Sequence, residues 1–182
     1  MDSTTVITDC PSMYKLAARA CHEHNEKTLI KSHCMAGETK TTLHEYQSTD
    51  IHWAILHHFK ANHGEAFVRE GYLVESVMGK TPFILDQGGR IRAKENEVLI
   101  IIPLGYLQTY PSKPKPASGS SMVQPDGDYE PVVLQHIRGD EWSNLQWKTG
   151  TYISTTGRIK VQAGAIFGEW MSITCKPDIK LN

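Results

Sequence analysis

The hydrophobic period of this chain changes at Tyr72, and that change constrains the fold more than any other feature of the sequence. Before Tyr72, two segments repeat apolar residues at steps of three and four, which is the period of an amphipathic helix. After Tyr72, the apolar residues stand in short or alternating runs separated by turn residues, which is typical of strands. This order predicts an α+β protein in which N-terminal helices are followed by a mostly antiparallel β-sandwich or small barrel.

Two helices are predicted in the first part of the chain. The first covers about residues 11–25, where apolar residues recur at helical spacing. The second begins at a cap formed by Ser48 or Thr49 and stops at Gly64, with a further helical turn over 65–70. The residues that follow the first helix, up to Cys34, are predicted to be its exit loop.

The rest of the chain is predicted to form a series of short strands. The segments are apolar or alternating, and turn sequences such as GK, DQGG and KENE separate them. Eight or nine strands favour a sheet region that closes as a sandwich or small barrel. The predicted strands are YLVESVM, PFIL, RIRA, EVLIIIPL, PVVLQHI, NLQW, TYIST, RIKVQA and AIFGEWMSITC.

A long segment rich in Pro, Gly and Ser interrupts the strands at 111–128. Its composition predicts an exposed arm with few apolar residues to bury. The 182 residues of the chain suffice for one domain with its own core. We therefore predict a single domain over 1–182, with a helical front at 1–71 and a β-rich part at 72–182 that carries the arm.

The stretch CHEHNEKTLIKSHC contains two cysteines and three histidines and raises the question of a metal site. The candidate ligands are Cys10, Cys21, His24, His33 and Cys34. Zinc sites favour close pairs such as CxxC, and no CxxC occurs here. Burial on the apolar stripe of the first helix explains Cys21 and His24 without a metal. We therefore expect no metal and no cofactor, and a metal site built from this cluster is the alternative.

Eight of the nine histidines lie in the first 63 residues of the chain. Because histidine gains charge near pH 6.5, acidification would make this part of the chain markedly positive. Two interpretations of the histidines stay open, a response to pH and ordinary solvated surface residues.

Sequence motifs of catalysis are missing. Neither GxSxG, GxGxxG, a P-loop nor HExxH occurs. The serines of SGSS at 118–121 lie in the predicted arm, where no base is fixed beside them. The sequence therefore favours a role without enzymatic activity.

Basic residues on two predicted strands and in the arm are candidates for binding a partner. They are Lys113, Lys115, Arg90, Arg92 and Arg158, with Lys94 and Lys160 near them in the sequence. Because alternate residues of a strand share a face, the strand residues could line one sheet face and bind an anion or an acidic partner. Alternating charges are also typical of a solvent-facing strand, which is the competing interpretation.

The overall charge and the hydropathy limit which partners and which location we expect for the protein. The 19 basic and 20 acidic side chains give a net charge of −1, whereas nucleic-acid-binding domains are usually clearly basic. The longest apolar run, VLIII, is far too short to span a bilayer. The N-terminal residues lack the basic and apolar regions of a secretory signal. We expect the cytoplasm as location, or the virion if the protein is viral, and neither a membrane nor a nucleic acid as partner.

These features together favour a non-enzymatic structural or assembly protein that acts through protein–protein contacts. The arm and the tryptophans Trp142, Trp147 and Trp170 are the interaction features. The expected partners are copies of the chain itself or other assembly subunits, as in a virus or phage particle component of the connector, tail-completion or decoration type. The alternatives are a small metal-binding or hydrolytic protein that uses the N-terminal Cys/His cluster, and an inhibitor-type protein that binds one host factor.

Overall fold

The fold was obtained as a computed structural model of the chain. The structure describes residues 4–24, 28–35, 41–107, 122–123, 133–138 and 141–175. Most of the predicted arm, including Lys113 and Lys115, lies outside the described residues.

The first helix is shorter than predicted. Helix α1 spans Tyr14–His22 and follows a 3-10 turn at Pro11–Met13. Proline suits the start of this turn because it has no N–H group that would be left unpaired there. The buried residues of α1 are Ala17, Ala20 and Cys21, as expected for an amphipathic helix.

The second helix is longer than predicted. Helix α2 spans Asp50–Arg69 and begins after Thr49, which is its N-cap as expected. The predicted stop at Gly64 is wrong. Gly64 is buried, and a β-carbon at this position would lie 3.2 Å from Cγ1 of Val74. The glycine therefore lets the helix pack closely on a strand instead of ending it. No helix in the described part of the chain is both long and apolar enough to cross a membrane.

Twelve strands form in the described part of the chain, and all their pairings are antiparallel. They are β1 (Thr5–Asp9), β2 (Leu29–Met35), β3 (Thr41–Tyr46), β4 (Tyr72–Leu85), β5 (Arg90–Arg92), β6 (Glu97–Leu107), β7 (Met122–Val123), β8 (Val133–Arg138), β9 (Glu141–Leu145), β10 (Thr151–Thr155), β11 (Arg158–Ala163) and β12 (Ala165–Cys175).

The strands form two sheets. The larger sheet has eight strands in the order β1-β10-β6-β12-β4-β3-β2, with β7 paired to β6. The smaller sheet has four strands in the order β5-β11-β8-β9. The chain crosses between the sheets, since β4 and β6 belong to the larger sheet and β5, which lies between them in sequence, belongs to the smaller one. This architecture is that of a double-sheet jelly roll, and it confirms in outline the prediction of an α+β protein with antiparallel strands.

Three strands lie in the part of the chain that was predicted to be helical. Strand β1 forms one edge of the larger sheet, and β3 and β2 extend its other edge. Their sequences, such as TVITD and TTLHEY, contain no long apolar run, so the hydrophobic period did not indicate them. A second difference is that YLVESVM and PFIL form one continuous strand, β4.

Apolar layers cover both faces of the larger sheet. On one face, helix residues such as Ile55 and Phe59 pack in one cluster with Phe167 of β12. On the other face, residues such as Ile101 pack in a second cluster with Ile159 of the smaller sheet. Strand β6 contributes alternate residues to both layers, which explains why EVLIIIPL is apolar at consecutive positions.

Candidate functional site

The space between the two sheets is the enclosed region in which a fold of this kind binds small ligands. In this chain, apolar side chains from both sheets fill that space, which we call the inter-sheet layer. Its buried residues are Phe83, Leu85, Ala93, Leu99, Ile101, Tyr106, Leu145, Trp147, Ile153, Ile159, Val161 and Ile166. The inter-sheet layer is therefore a packed core over the described residues.

Trp147 is a buried residue at one side of the inter-sheet layer, and its polar atom is satisfied there. Its indole N–H donates a hydrogen bond of 2.7 Å to the carbonyl oxygen of Gly105. Gly105 lies beside an irregularity in the β6–β12 register, where Pro103 is accommodated in a central strand. Trp147, which the sequence suggested for partner contacts, is therefore a core residue.

The buried histidine and the buried carboxylate of the described chain, His52 and Glu169, do not lie between the sheets. Glu169 alternates with Trp170 along β12, so it shares the helix-facing side of the larger sheet with Phe167 and Met171. His52 belongs to α2, which packs on that same side. Apolar residues of the two helices and of this side of the larger sheet form one cluster, which we call the helix-facing layer. The helix-facing layer, and not the inter-sheet layer, therefore holds His52 and Glu169.

The predicted metal ligands are not brought together. Cys10 and Cys21 are both buried, but they lie at opposite ends of the first helical segment. His24 packs against two aromatic rings, and His33 pairs with a glutamate of the neighbouring strand at 2.9 Å. The side chain of Cys34 lies outside what the structure describes. Across the described ranges, no group of three or more His, Cys, Asp or Glu residues is arranged to hold a metal ion.

A contact between a thiol and an imidazole forms where β1 ends beside α2. The Sγ atom of Cys10 lies 3.1 Å from Nε2 of His63. The hydroxyl of Ser12 lies 3.7 Å from the same sulfur and 2.9 Å from Nε2 of His58. Because 53 residues separate Cys10 from His63, no local spacing in the sequence could have indicated the pair.

Burial gives the groups in the helix-facing layer different acid–base properties. Desolvation, and then repulsion from His58, lower the pKa of His63. The imidazole of His63 is therefore neutral near pH 7, and its Nε2 atom lies in hydrogen-bond contact with the Cys10 sulfur. By contrast, desolvation raises the pKa of Cys21 to about 11, which keeps this thiol protonated. Of the two buried thiols, Cys10 is thus the one in contact with an imidazole.

The basic residues of β5 and β11 share the outer face of the smaller sheet. The strand register pairs Arg92 with Arg158 and Arg90 with Lys160. The isoleucines between them, which pair with each other in the same register, pack into the inter-sheet layer. The structure thus brings together four of the basic residues named from the sequence, Arg90, Arg92, Arg158 and Lys160.

Comparison with solved structures finds proteins of similar fold. The crystal structure of a prolyl-4-hydroxylase from Pseudomonas putida matches with a TM-score of 0.54 and 9% sequence identity, over 96% of this chain and 92% of that chain. The chain therefore shares its overall fold with this enzyme. A candidate oxygenase from Shewanella oneidensis matches with a TM-score of 0.48 and 10% identity, over 95% of this chain and 81% of that chain. No protein-family model matches the chain, and no curated protein matches it in sequence.

This likeness corrects the function expected from the sequence. The expectation of a non-enzymatic assembly protein, and of a virion or phage component in particular, is wrong, because the fold matches that of a prolyl-4-hydroxylase over nearly the whole chain. The expectation was based on the absence of catalytic motifs and on the presence of an arm and of tryptophans. Neither observation determines which fold the chain adopts. The predicted partners and the expected absence of a cofactor stay predictions.

The side chains described in the inter-sheet layer do not fit a non-haem iron site. Non-haem iron oxygenases hold the metal with two histidines and one carboxylate. The described inner positions of β5, its following turn and β11 are Ile91, Ala93, Ile159 and Val161, whose side chains have no donor atoms. The residues described between the sheets therefore do not provide this ligand set.

Proposed function

We propose that this chain is an oxygenase-type enzyme that acts on a polypeptide. The observation that supports the proposal is the likeness in fold to a prolyl-4-hydroxylase over 96% of the chain. Because the likeness spans almost the whole chain, it takes in both sheets and both helices. The name of that enzyme denotes action on prolyl residues, which supports a polypeptide as the substrate class.

An oxygenase built on this chain needs metal ligands other than the side chains described in the inter-sheet layer, because those side chains are apolar. The iron content of the protein and its consumption of oxygen are therefore the decisive measurements.

The experiment loads the full-length chain with Fe(II) under anaerobic conditions and removes unbound metal before analysis. We expect about one iron per chain, as a non-haem site requires, and oxygen uptake that depends on 2-oxoglutarate and on a proline-containing peptide. The matched control is the protein loaded with Zn(II), which has no redox chemistry. A chain that retains no iron and consumes no oxygen would show that the fold serves a different function.

A further inference from the structure

The outer face of β5 and β11 carries a compact group of four cations, which we call the basic face. It consists of Arg90, Arg92, Arg158 and Lys160. Ile91 and Ile159 alternate with these residues and pack inward, so the cations point away from the core. The three arginines are exposed, and Lys160 is half-buried.

The basic face has no compensating charge among the described residues. None of the four cations takes part in the ion pairs of the described residues. Those ion pairs join Arg19 to Glu23, His33 to Glu45, His44 to Asp86 and Lys148 to Asp9. Yet the strand register places Arg92 directly opposite Arg158, and like charges in such positions destabilise a sheet. The pairs Arg92–Arg158 and Arg90–Lys160 each place two positive charges opposite each other. A bound anion would reduce this repulsion, so the basic face is suited to binding one.

The spacing of the cations fits an extended polypeptide. Residues two apart on one strand are separated by roughly 6.5–7 Å, and neighbouring strands lie about 4.8 Å apart. An extended peptide presents alternate side chains at this same repeat, so acidic residues at every second position would match Arg90 and Arg92.

The position of β5 in its sheet also fits a peptide strand. Strand β5 is at one end of the smaller sheet, and its described ladder is formed with β11 alone. The backbone groups on its other side can therefore pair with an added strand, which is a common mode of peptide recognition.

We propose that the basic face binds an acidic polypeptide segment in extended conformation, which adds to the edge of β5 and places alternate carboxylates against Arg90 and Arg92. A nucleic acid offers the same charge but fits less well, because the chain has a net charge of −1 and nucleic-acid-binding domains are usually clearly basic. The inference is independent of the proposed oxygenase activity, since it concerns binding in the absence of any metal.

The test measures binding of labelled ten-residue probes by fluorescence anisotropy in low salt. The probes are a peptide of alternating Glu and Thr, a peptide with the same composition in two blocks, a peptide of alternating Lys and Thr, and a single-stranded oligothymidylate. We expect the alternating acidic peptide to bind at least ten times more tightly than the block peptide, and to weaken as salt is raised.

Two variants and a matched control locate the binding. The double variant R92E/R158E is expected to lose at least tenfold in affinity for the alternating acidic peptide. The single variant R92E is expected to weaken binding while it melts no lower than the parent, which separates lost binding from lost folding. The control K15E/K60E reverses two charges on the helices and is expected to bind within twofold of the parent.

Three results would overturn the proposal. Equal binding of the alternating and block peptides would show that charge alone, and not an extended strand, is recognised. Tighter binding of the oligothymidylate would assign the basic face to a nucleic acid. An unchanged affinity in R92E/R158E, or no binding of any probe, would remove the basic face as a docking surface.

Discussion

Trp147 lies directly against Gly168, and the contact excludes any side chain at the glycine. A β-carbon on Gly168 would lie 2.9 Å from Cη2 of Trp147 and 3.2 Å from the carbonyl oxygen of Ile102. The indole cannot easily move aside, because its N–H is held by the carbonyl of Gly105 at 2.7 Å. This pair therefore fixes how closely β12 approaches the segment between β9 and β10.

Replacing Gly168 with alanine tests this contact. We expect Gly168→Ala to lower the free energy of unfolding by about 1–3 kcal/mol, the usual cost of overpacking a core. Urea unfolding followed by circular dichroism measures the change. The control is the double variant G168A/W147F, in which the smaller ring should recover part of the loss, since residues in contact are not additive. Strictly additive losses would contradict direct contact between the two side chains.

Alkylation rates test the difference between the two buried thiols. Cys10 and Cys21 are 3% and 5% exposed, so burial alone predicts similar rates. We expect iodoacetamide to modify Cys10 faster at pH 8, because burial raises the pKa of Cys21 to about 11, whereas the sulfur of Cys10 contacts the imidazole of His63. At that pH a thiol with such a pKa is ionised to about one part in a thousand.

Peptide mass spectrometry over a time course measures both rates in one sample. His63→Gln should slow the modification of Cys10 and leave Cys21 unchanged. If Cys21 reacted as fast as Cys10, or if the variant changed neither rate, the contact with His63 would have no chemical effect.

Stability should fall on acidification because of His63. Desolvation, and then His58, lower its folded pKa below the unfolded value near 6.5. The unfolded chain therefore binds more protons at acidic pH, so this contribution to stability is present above about pH 6.5 and is lost as the pH falls below it.

Unfolding curves at pH 7.5 and 5.5 measure this dependence. His63→Gln should narrow the difference in unfolding free energy between the two pH values, whereas the exposed His57→Gln should leave it unchanged. An equal pH dependence in the parent and in His63→Gln would show that other groups control the acid response. The sequence left such a response of the histidines open beside the interpretation as solvated surface residues, and His63 is the residue for which the structure gives a cause.

The single substitution Arg92→Glu should stabilise the fold. It replaces a like-charge pair across β5 and β11 with an opposite-charge pair, which is worth about 0.2–1 kcal/mol. Thermal melting at low and high salt measures the gain, which should shrink as salt screens it. The control Lys60→Glu, on α2, should change stability by less than about 0.5 kcal/mol. A lower melting temperature for Arg92→Glu would mean that Arg92 has a stabilising contact that the register does not reveal.

The sequence alone determined the elements whose signal is local. The cap at Thr49 and the period of the following residues placed α2, because a helix closes its hydrogen bonds within one turn. Most of the strands after Tyr72 were indicated in the same way, since side chains alternate along each strand, whereas β7 lies in the segment predicted to be an arm. The consecutive apolar residues of β6 correctly indicated a strand, although only the structure shows that both of its faces are covered.

The tertiary structure decided the features that depend on partners distant in the chain. Strands β1, β2 and β3 have little apolar pattern of their own and form because they pair with the edges of a sheet. The contacts of Cys10 with His63 and of Trp147 with Gly168 join residues far apart in sequence, and no spacing rule connects them. The jelly roll itself could not be predicted from the sequence for the same reason. Its two sheets are defined by which strands pair, and pairing is fixed by long-range hydrogen bonds and shared burial that a local hydrophobic period does not encode.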